Sequence, residues 1–374
     1  MIRPAASGTA LSEPVPQPPR LFSVVVPPCQ PLSISRCPFC SCDHNSSIII
    51  KLRLADNGLQ GTLTQNLGLL DGLKELVIYG NKGLTGTIPE QLTRLSELEK
   101  LYLHYNGLSG TVPSLSGMQR LRGLHIGGNS GAGLHGGLEW LGELQALEEV
   151  LLWDNSFHGP LPESMRTMSS LKSLELGNNP LNCELPSWLG ELGNLTEVSA
   201  YDDGLIGHFP ESLGGVTQPH LKRFFMRDNQ ISGTLHPAML ANLTALMELA
   251  LHGNQLSGSL PATLGEMPSL ETLMLGGNKL SGSLPAALSA VPSLGKLSLS
   301  GNAFTTMDVE MARPPFLSDP RHRWVCQLGS NPWACPIAEW AQDDCKARCD
   351  DQKGDNSTTA GGAQRVVAGV AVEN

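Results

Sequence analysis

Aromatic residues are scarce. They make up 5% of the 374-residue chain, as four Tyr, eight Phe and six Trp. A core built from rings is thereby excluded, and aliphatic side chains must carry the packing. Basic residues are also short, with 25 Lys and Arg against 35 Asp and Glu and a net charge of −10. No basic stripe follows from that balance, which sets nucleic-acid binding aside. No run of 18 or more apolar residues occurs, so no transmembrane segment is expected in this chain. Catalytic signatures are missing as well: there is no H-E-x-x-H, no G-x-S-x-G and no G-K-[ST] phosphate loop. We therefore expect no enzyme, no cofactor and no metal.

Cysteine is nearly absent from the middle of the chain. Cys29, Cys37, Cys40 and Cys42 cluster near one end, Cys326, Cys335, Cys345 and Cys349 near the other, and only Cys183 lies between. This placement reads as disulfide-stapled caps at 29–48 and 306–350, formed in an oxidising compartment. The run CPFCSCDH (Cys37–His44) is too crowded for a closed zinc site, which needs separated ligand pairs. The C-terminal four allow three pairings. Cys345 and Cys349 are four apart, a spacing that on a helix would share one face. Trp324, Trp333 and Trp340 are expected to cover the last open core. Cys183 reads as a buried free thiol. Residues 1–28, proline-rich and aperiodic, and the Gly-rich tail 351–374 read as disordered. The apolar stretch Leu21–Val26 is short for a signal-peptide core. Secretion or display at the cell surface is expected from the cysteines, with a cytoplasmic location as the alternative. Asn45, Asn194, Asn242 and Asn356 begin N-x-[ST] sequons and are candidate glycosylation sites.

What the chain does have is a repeat. The pattern L-x-x-L-x-L-x-x-N starts at Ile49, Leu73, Leu98, Leu121, Leu147, Leu171, Leu195, Leu221, Leu246, Leu270 and Leu294, giving eleven units over residues 49–305. The Asn place is kept throughout except at Asp203. Alternation in x-L-x-L-x predicts a short strand with one apolar face, paired in parallel with its counterpart in the next unit. One unit cannot bury its own leucines; a stack can. The second half of most units reads L-x-G-x-hydrophobic-P, as in LTGTIP (Leu84–Pro89) and LSGSLP (Leu256–Pro261). This half predicts a short second strand, closed by a Gly turn and Pro, followed by a 3-10 or irregular turn. The G-x-G-x-x-G match GAGLHG (Gly131–Gly136) is absorbed by that register, with Gly136 as the turn glycine, and is not read as a dinucleotide loop.

On these motifs the chain resembles the plant-type leucine-rich repeat family of receptor-like ectodomains and polygalacturonase-inhibitor-like proteins. The resemblance implies an α/β repeat solenoid, a right-handed superhelix with a parallel concave β-sheet and a 3-10 or irregular convex side. It departs from the family at the N-terminal cap, which reads CPFCSCDHNSS without a Trp, and at Pro336 after Cys335 in SNPWACPIAEWAQDDC. The third, fifth, seventh and eighth positions of each unit point away from the core. All four tyrosines fall in them. The candidate ligand-binding residues on this face are Tyr79, Tyr102, His104, Tyr105, His125, Trp153, Asp154, Glu175, Tyr201, Asp202, Phe225, Arg227 and Asp228. Rings and Arg on a rigid strand surface are the usual anchors of recognition. Units five to seven add Glu149, Asp154, Glu175, Glu197 and Asp202 with no cation of their own. The expected function is non-enzymatic recognition of a protein, peptide or glycan in a receptor-like or defence role. The alternatives are an inhibitor of an extracellular hydrolase and an intracellular scaffold. The chain is expected to be a monomer, and association with a membrane receptor fits this reading.

Overall fold

The computed structural model describes residues 39–42, 48–129, 133–210, 212–214, 218–308, 311 and 325–348. Cys29, Cys37, Cys349, Asn45, Asn356 and Trp324, with 1–28 and the tail, lie outside the described residues. The chain divides into two compact units, Met1–Ile231 and Ser232–Asn374.

In the first unit the strands run β1 (Cys40–Cys42), β2 (Ile49–Arg53), β3 (Glu75–Val77), β4 (Lys100–Tyr102), β5 (Gly123–His125), β6 (Glu149–Leu151), β7 (Ser173–Glu175), β8 (Glu197–Ser199) and β9 (Arg223–Phe225). They form one ladder in chain order. β1 is antiparallel to β2. From β2 onward every pairing is parallel and joins equivalent positions, as in Lys100↔Gly123 and Tyr102↔His125. The alternation explains the orientation: Leu76, Leu101, Leu124, Val150, Leu174, Val198 and Phe224 are fully buried. Each such side chain contributes about 1.5–3 kcal/mol.

The Asn row closes each coil. Asn106 donates from its amide to the carbonyls of Ile78 (2.6 Å) and Leu103 (2.8 Å), while its oxygen accepts from the Asn81 backbone N–H at 2.8 Å. One buried side chain thus satisfies three backbone groups of two successive coils, groups that the bending chain would otherwise leave unpaired. Asp203 breaks the row. Its Oδ1 accepts from the Asn179 N–H at 2.7 Å, but its buried Oδ2 has no hydrogen-bond partner. Burial pushes this carboxyl up to about 7, so near neutrality it carries a proton for part of the time.

The residue just before each ladder Asn or Asp is left-handed. In the first unit φ lies between 52° and 73° at Asp56, Gly80, Tyr105, Gly128, Asp154, Asn178, Asp202 and Asp228. Gly, Asn and Asp enter that region readily; a bulky ring does not. Tyr105 is the exception in the row.

The second half of each coil is as the LxGxIP pattern predicts. Short strands such as Gly83–Gly86 and Leu134–Gly136 are followed by 3-10 turns, among them Glu90–Arg94, Glu139–Glu143 and Glu163–Thr167. Gly136 has φ 112° within such a strand, which is its turn role in the repeat. Cys183 is buried and free.

The second unit carries β10 (Glu248–Ala250), β11 (Thr272–Met274), β12 (Lys296–Ser298) and β13 (Val325–Gln327), all parallel. β13 lies outside the eleven-unit register. Cys326 takes a leucine place there, and Asn331 takes the ladder place, donating to Leu299 (3.0 Å) and Leu328 (2.9 Å). The signal, VCQLGSN, was present in the sequence but was hidden by Cys in the core position. Cys326 is bonded to Cys345, and Cys40, Cys42 and Cys335 are also disulfide-bonded. The helix of this region, Glu339–Asp343, ends before Cys345, so that cysteine is not on a helix face shared with position 349. Trp333 is fully buried and stacks on Phe304 at 6.2 Å. Trp340 is only half-buried, so it covers the core less completely than expected. Among the described residues no helix is long and apolar enough to cross a membrane.

Candidate recognition face

The outward rows of the first unit bring six of the candidate residues into one patch. Parallel pairing places equivalent positions side by side, so rings in the same slot of adjacent coils stack. Tyr102 stacks on His125 at 3.8 Å, with ring planes 7° apart. Tyr79 stacks on His104 at 4.4 Å and 16°. His104 ties the pairs together, 5.8 Å from His125 and 5.6 Å from Tyr105. Tyr105 leans on Trp153 at 4.8 Å with planes tilted by 60°.

Two glycines make room for that last pair. A Cβ at Gly128 would come within 2.6 Å of Trp153 and 3.0 Å of Tyr105, and one at Gly127 within 2.8 Å of Trp153. Trp153 therefore lies across the coil that carries these glycines, and Tyr105 meets it there. This role of Gly127 and Gly128 carries no signal along the chain, because it joins residues of different coils. The cost at Tyr105 was legible in the eighth-position row, where the other residues are Gly, Asn or Asp.

Electrostatics in the patch follow from burial. His104 is pushed down to about 4, first by desolvation and then by the neighbouring His125, so it is neutral at pH 7, and its buried Nδ1 has no partner. Desolvation also lowers His125, outweighing the carboxylate of Glu149, whose Oε2 lies 2.9 Å from His125 Nε2. Desolvation, helped by Glu149, raises the Tyr102 phenol to about 12, and the Tyr102 hydroxyl donates to Glu149 at 3.5 Å. The patch thus presents neutral rings around one carboxylate.

A second group sits three coils on. The Arg227 guanidinium lies 4.3 Å over the Tyr201 ring and donates to Asp228 at 2.6 Å. Asp154 accepts from Asn178 at 2.8 Å. Glu175, half-buried, accepts from the Ser173 hydroxyl at 3.3 Å, and burial followed by repulsion from Glu197 raises its carboxyl. The acidic row is less bare than the sequence suggests, because Arg223 of the next coil pairs with Glu197. Asp202 is exposed. Phe225 is half-buried and, among the described residues, stacks on no other ring. Both stand outside the two groups. Asn194 and Asn242 are exposed away from the strands. Among the described residues no group of three or more His, Cys, Asp or Glu is placed to hold a metal. An open polar hollow of about 800 Å³ lies on the opposite, second-strand side, between Thr62, Thr87, Thr111 and Pro89. It was not foreseen from sequence and holds no group of rings.

The family model for the leucine-rich repeat region matches residues 49–314. The chain belongs to the leucine-rich repeat family. Within it, the chain is 33% identical over 226 residues to Receptor-like protein 39 of Arabidopsis thaliana, covering 59% of this chain and 22% of that protein. It spans only about an eighth to a fifth of the length of the curated leucine-rich repeat relatives it matches. Among solved structures it is similar to the plant peptide hormone receptor RGFR1 in complex with RGF2, with TM-score 0.67 and 26% identity over 76% of this chain and 48% of that one. It is also similar to the leucine-rich repeat ectodomain of the Arabidopsis receptor kinase HAESA in complex with an IDA peptide hormone ligand. There the TM-score is 0.68 and the identity 25%, over 80% of this chain and 57% of that one.

Proposed function

We propose that the ladder face of the first unit binds an extracellular protein, peptide or glycan in a receptor-like recognition role, without chemistry on the ligand. The observation that carries this reading is the ring patch itself. Tyr105 is 53% exposed on a surface whose backbone is pinned by strand pairing and the ladder amides, so little freedom is lost when a ligand is engaged. Solved relatives with peptide hormones bound support the reading, and the disulfide-bonded cysteines support an extracellular setting.

The test is capture of secreted peptides, proteins and glycans on the immobilised chain and on a Tyr102→Ala/Trp153→Ala variant. We expect a saturable species held by the native chain and at least tenfold depleted on the variant. Equal capture by both excludes the patch. Thiol counting on unreduced protein checks the compartment: Cys183 should be the one cysteine that reacts, and only after unfolding, whereas reaction of nearly all nine contradicts secretion.

A further inference from the structure

The binding reading leaves open which chemistry the face selects, and three observations narrow it. First, most rings already have their faces covered. Tyr79 is spent on His104, Tyr102 on His125, and Tyr201 lies beneath Arg227. Tyr105 and Trp153 instead meet with their planes tilted by 60°, and Tyr105 stays exposed. Second, Tyr105 occupies a left-handed position that Gly, Asp, Asn or Ser fills in the other coils. A bulky residue there is sterically disfavoured. Backbone strain retained at an exposed ring points to contact with something outside the fold. Third, among the described residues no Lys or Arg forms an ion pair with Asp154 or Glu175. Among the described residues, Asp154 is bonded only to the Asn178 amide, and Glu175 only to the Ser173 hydroxyl. Glu197 and Asp228, by contrast, are already held by Arg223 and Arg227.

The molecule also shows what satisfies a ring and a carboxylate in these slots. At Tyr201 the guanidinium of Arg227 stacks on the ring and donates to the adjacent Asp228. Trp153 offers a ring at the same seventh position as Tyr201, and Asp154 a carboxylate at the eighth position of its own coil rather than of the next one; the next coil carries Gly177 and Asn178, which supply no cation. We propose that the Tyr105–Trp153 ring pair and Asp154 form a seat for an arginine side chain of a peptide ligand. The proposal rests on the ladder face being the binding face. A guanidinium stacks on a ring through its plane and donates to a carboxylate through its edge; an ammonium does only the second well. The occupant is therefore arginine, with charge complementarity supplied by Asp154, Glu149 and Glu175.

Fluorescence anisotropy with the full chain tests this, using labelled tetra-arginine, tetra-lysine and tetra-glutamate peptides and labelled cellohexaose at about 0.15 M salt, where diffuse attraction is screened. Tetra-arginine should bind saturably and about tenfold more tightly than tetra-lysine. Trp153→Ala and Asp154→Asn should each weaken it about tenfold. Asp154→Asn keeps a residue that the left-handed position accepts, as Asn178 shows, so its effect is not one of misfolding. Equal affinity for the arginine and lysine peptides, arginine binding unchanged in both variants, or no saturation by tetra-arginine overturns the seat. Cellohexaose binding in place of tetra-arginine, and lost with Trp153→Ala, overturns the seat but leaves the ladder face as the binding surface. If no probe that binds responds to either variant, both readings fall.

Discussion

The two units are built from the same coil and present different surfaces. In the first, the seventh and eighth positions hold His104 and Tyr105, then Trp153 and Asp154; in the second, equivalent places hold Gly276 and Gly277, then Ser300 and Gly301. Beneath these surfaces the closure is the same. Asn278 donates to Leu251 and Leu275 at 3.0 Å, repeating the two donations made by Asn106, and accepts from the N–H of Leu256 in the preceding coil at 2.9 Å. The coil therefore needs its leucines, its amide and a residue tolerant of positive φ, and is indifferent to what faces outward. Outward residues are free to vary, so a departure from small or polar ones calls for an explanation outside folding.

Four changes break or sharpen this contrast. The largest effect is expected at the shared element. Asn106→Ala and Asn278→Ala should each lower unfolding free energy by about 3–4 kcal/mol, because three hydrogen bonds are lost and buried backbone groups are stranded. Denaturant titration reads this, and very unequal losses would show that the two ladders are not equivalent.

Next comes Asp203→Asn. Burial raises the native carboxyl from the ordinary aspartate range to about 7, so the folded state holds the proton more tightly than the unfolded one. Stability is then greatest below pH 4 on this group's account and falls as pH rises towards 7. The Asn variant should be more stable by about 2–3 kcal/mol at pH 8 and lose most of that slope; a native chain with no such slope contradicts the assignment.

Smaller still is the strain at Tyr105. Tyr105→Gly should gain about 0.5 kcal/mol, since relief of the left-handed backbone exceeds the loss of one exposed ring contact. The reverse change in the second unit, Gly277→Tyr, should cost about 1 kcal/mol, with strain and no ring partner. Loss of stability in Tyr105→Gly would mean that the ring serves the fold. The smallest change is spectroscopic: the His104 imidazole should titrate near pH 4 by NMR, and Tyr79→Ala should move that value upward by exposing it. An ordinary histidine titration would show that the ring cluster is open to water.

The fold was legible because the repeat is redundant. Eleven copies of one spacing define strand, turn and core side, and a lapse such as Asp203 does not blur the register. β13 was missed because Cys326 stood in a leucine place. The face was half legible: alternation puts Tyr102 or Trp153 outward, but it does not say which rings stack on each other and which stay open. That depends on glycines in adjacent coils, and it is why Gly127 and Gly128 carried no signal when read along the chain. The pairing of Glu197 with Arg223 was invisible for the same reason, since it joins residues 26 positions apart.

Cys183 has a consequence for the disulfides. Its thiol is sealed in the coil, and desolvation, with Asp203 and Glu184 nearby, disfavours the thiolate. Thiolate is the species that attacks a disulfide. In the folded coil this sulfur is therefore a poor partner for exchange with the disulfides. Burial alone thus keeps the odd sulfur apart from the paired ones in the folded chain.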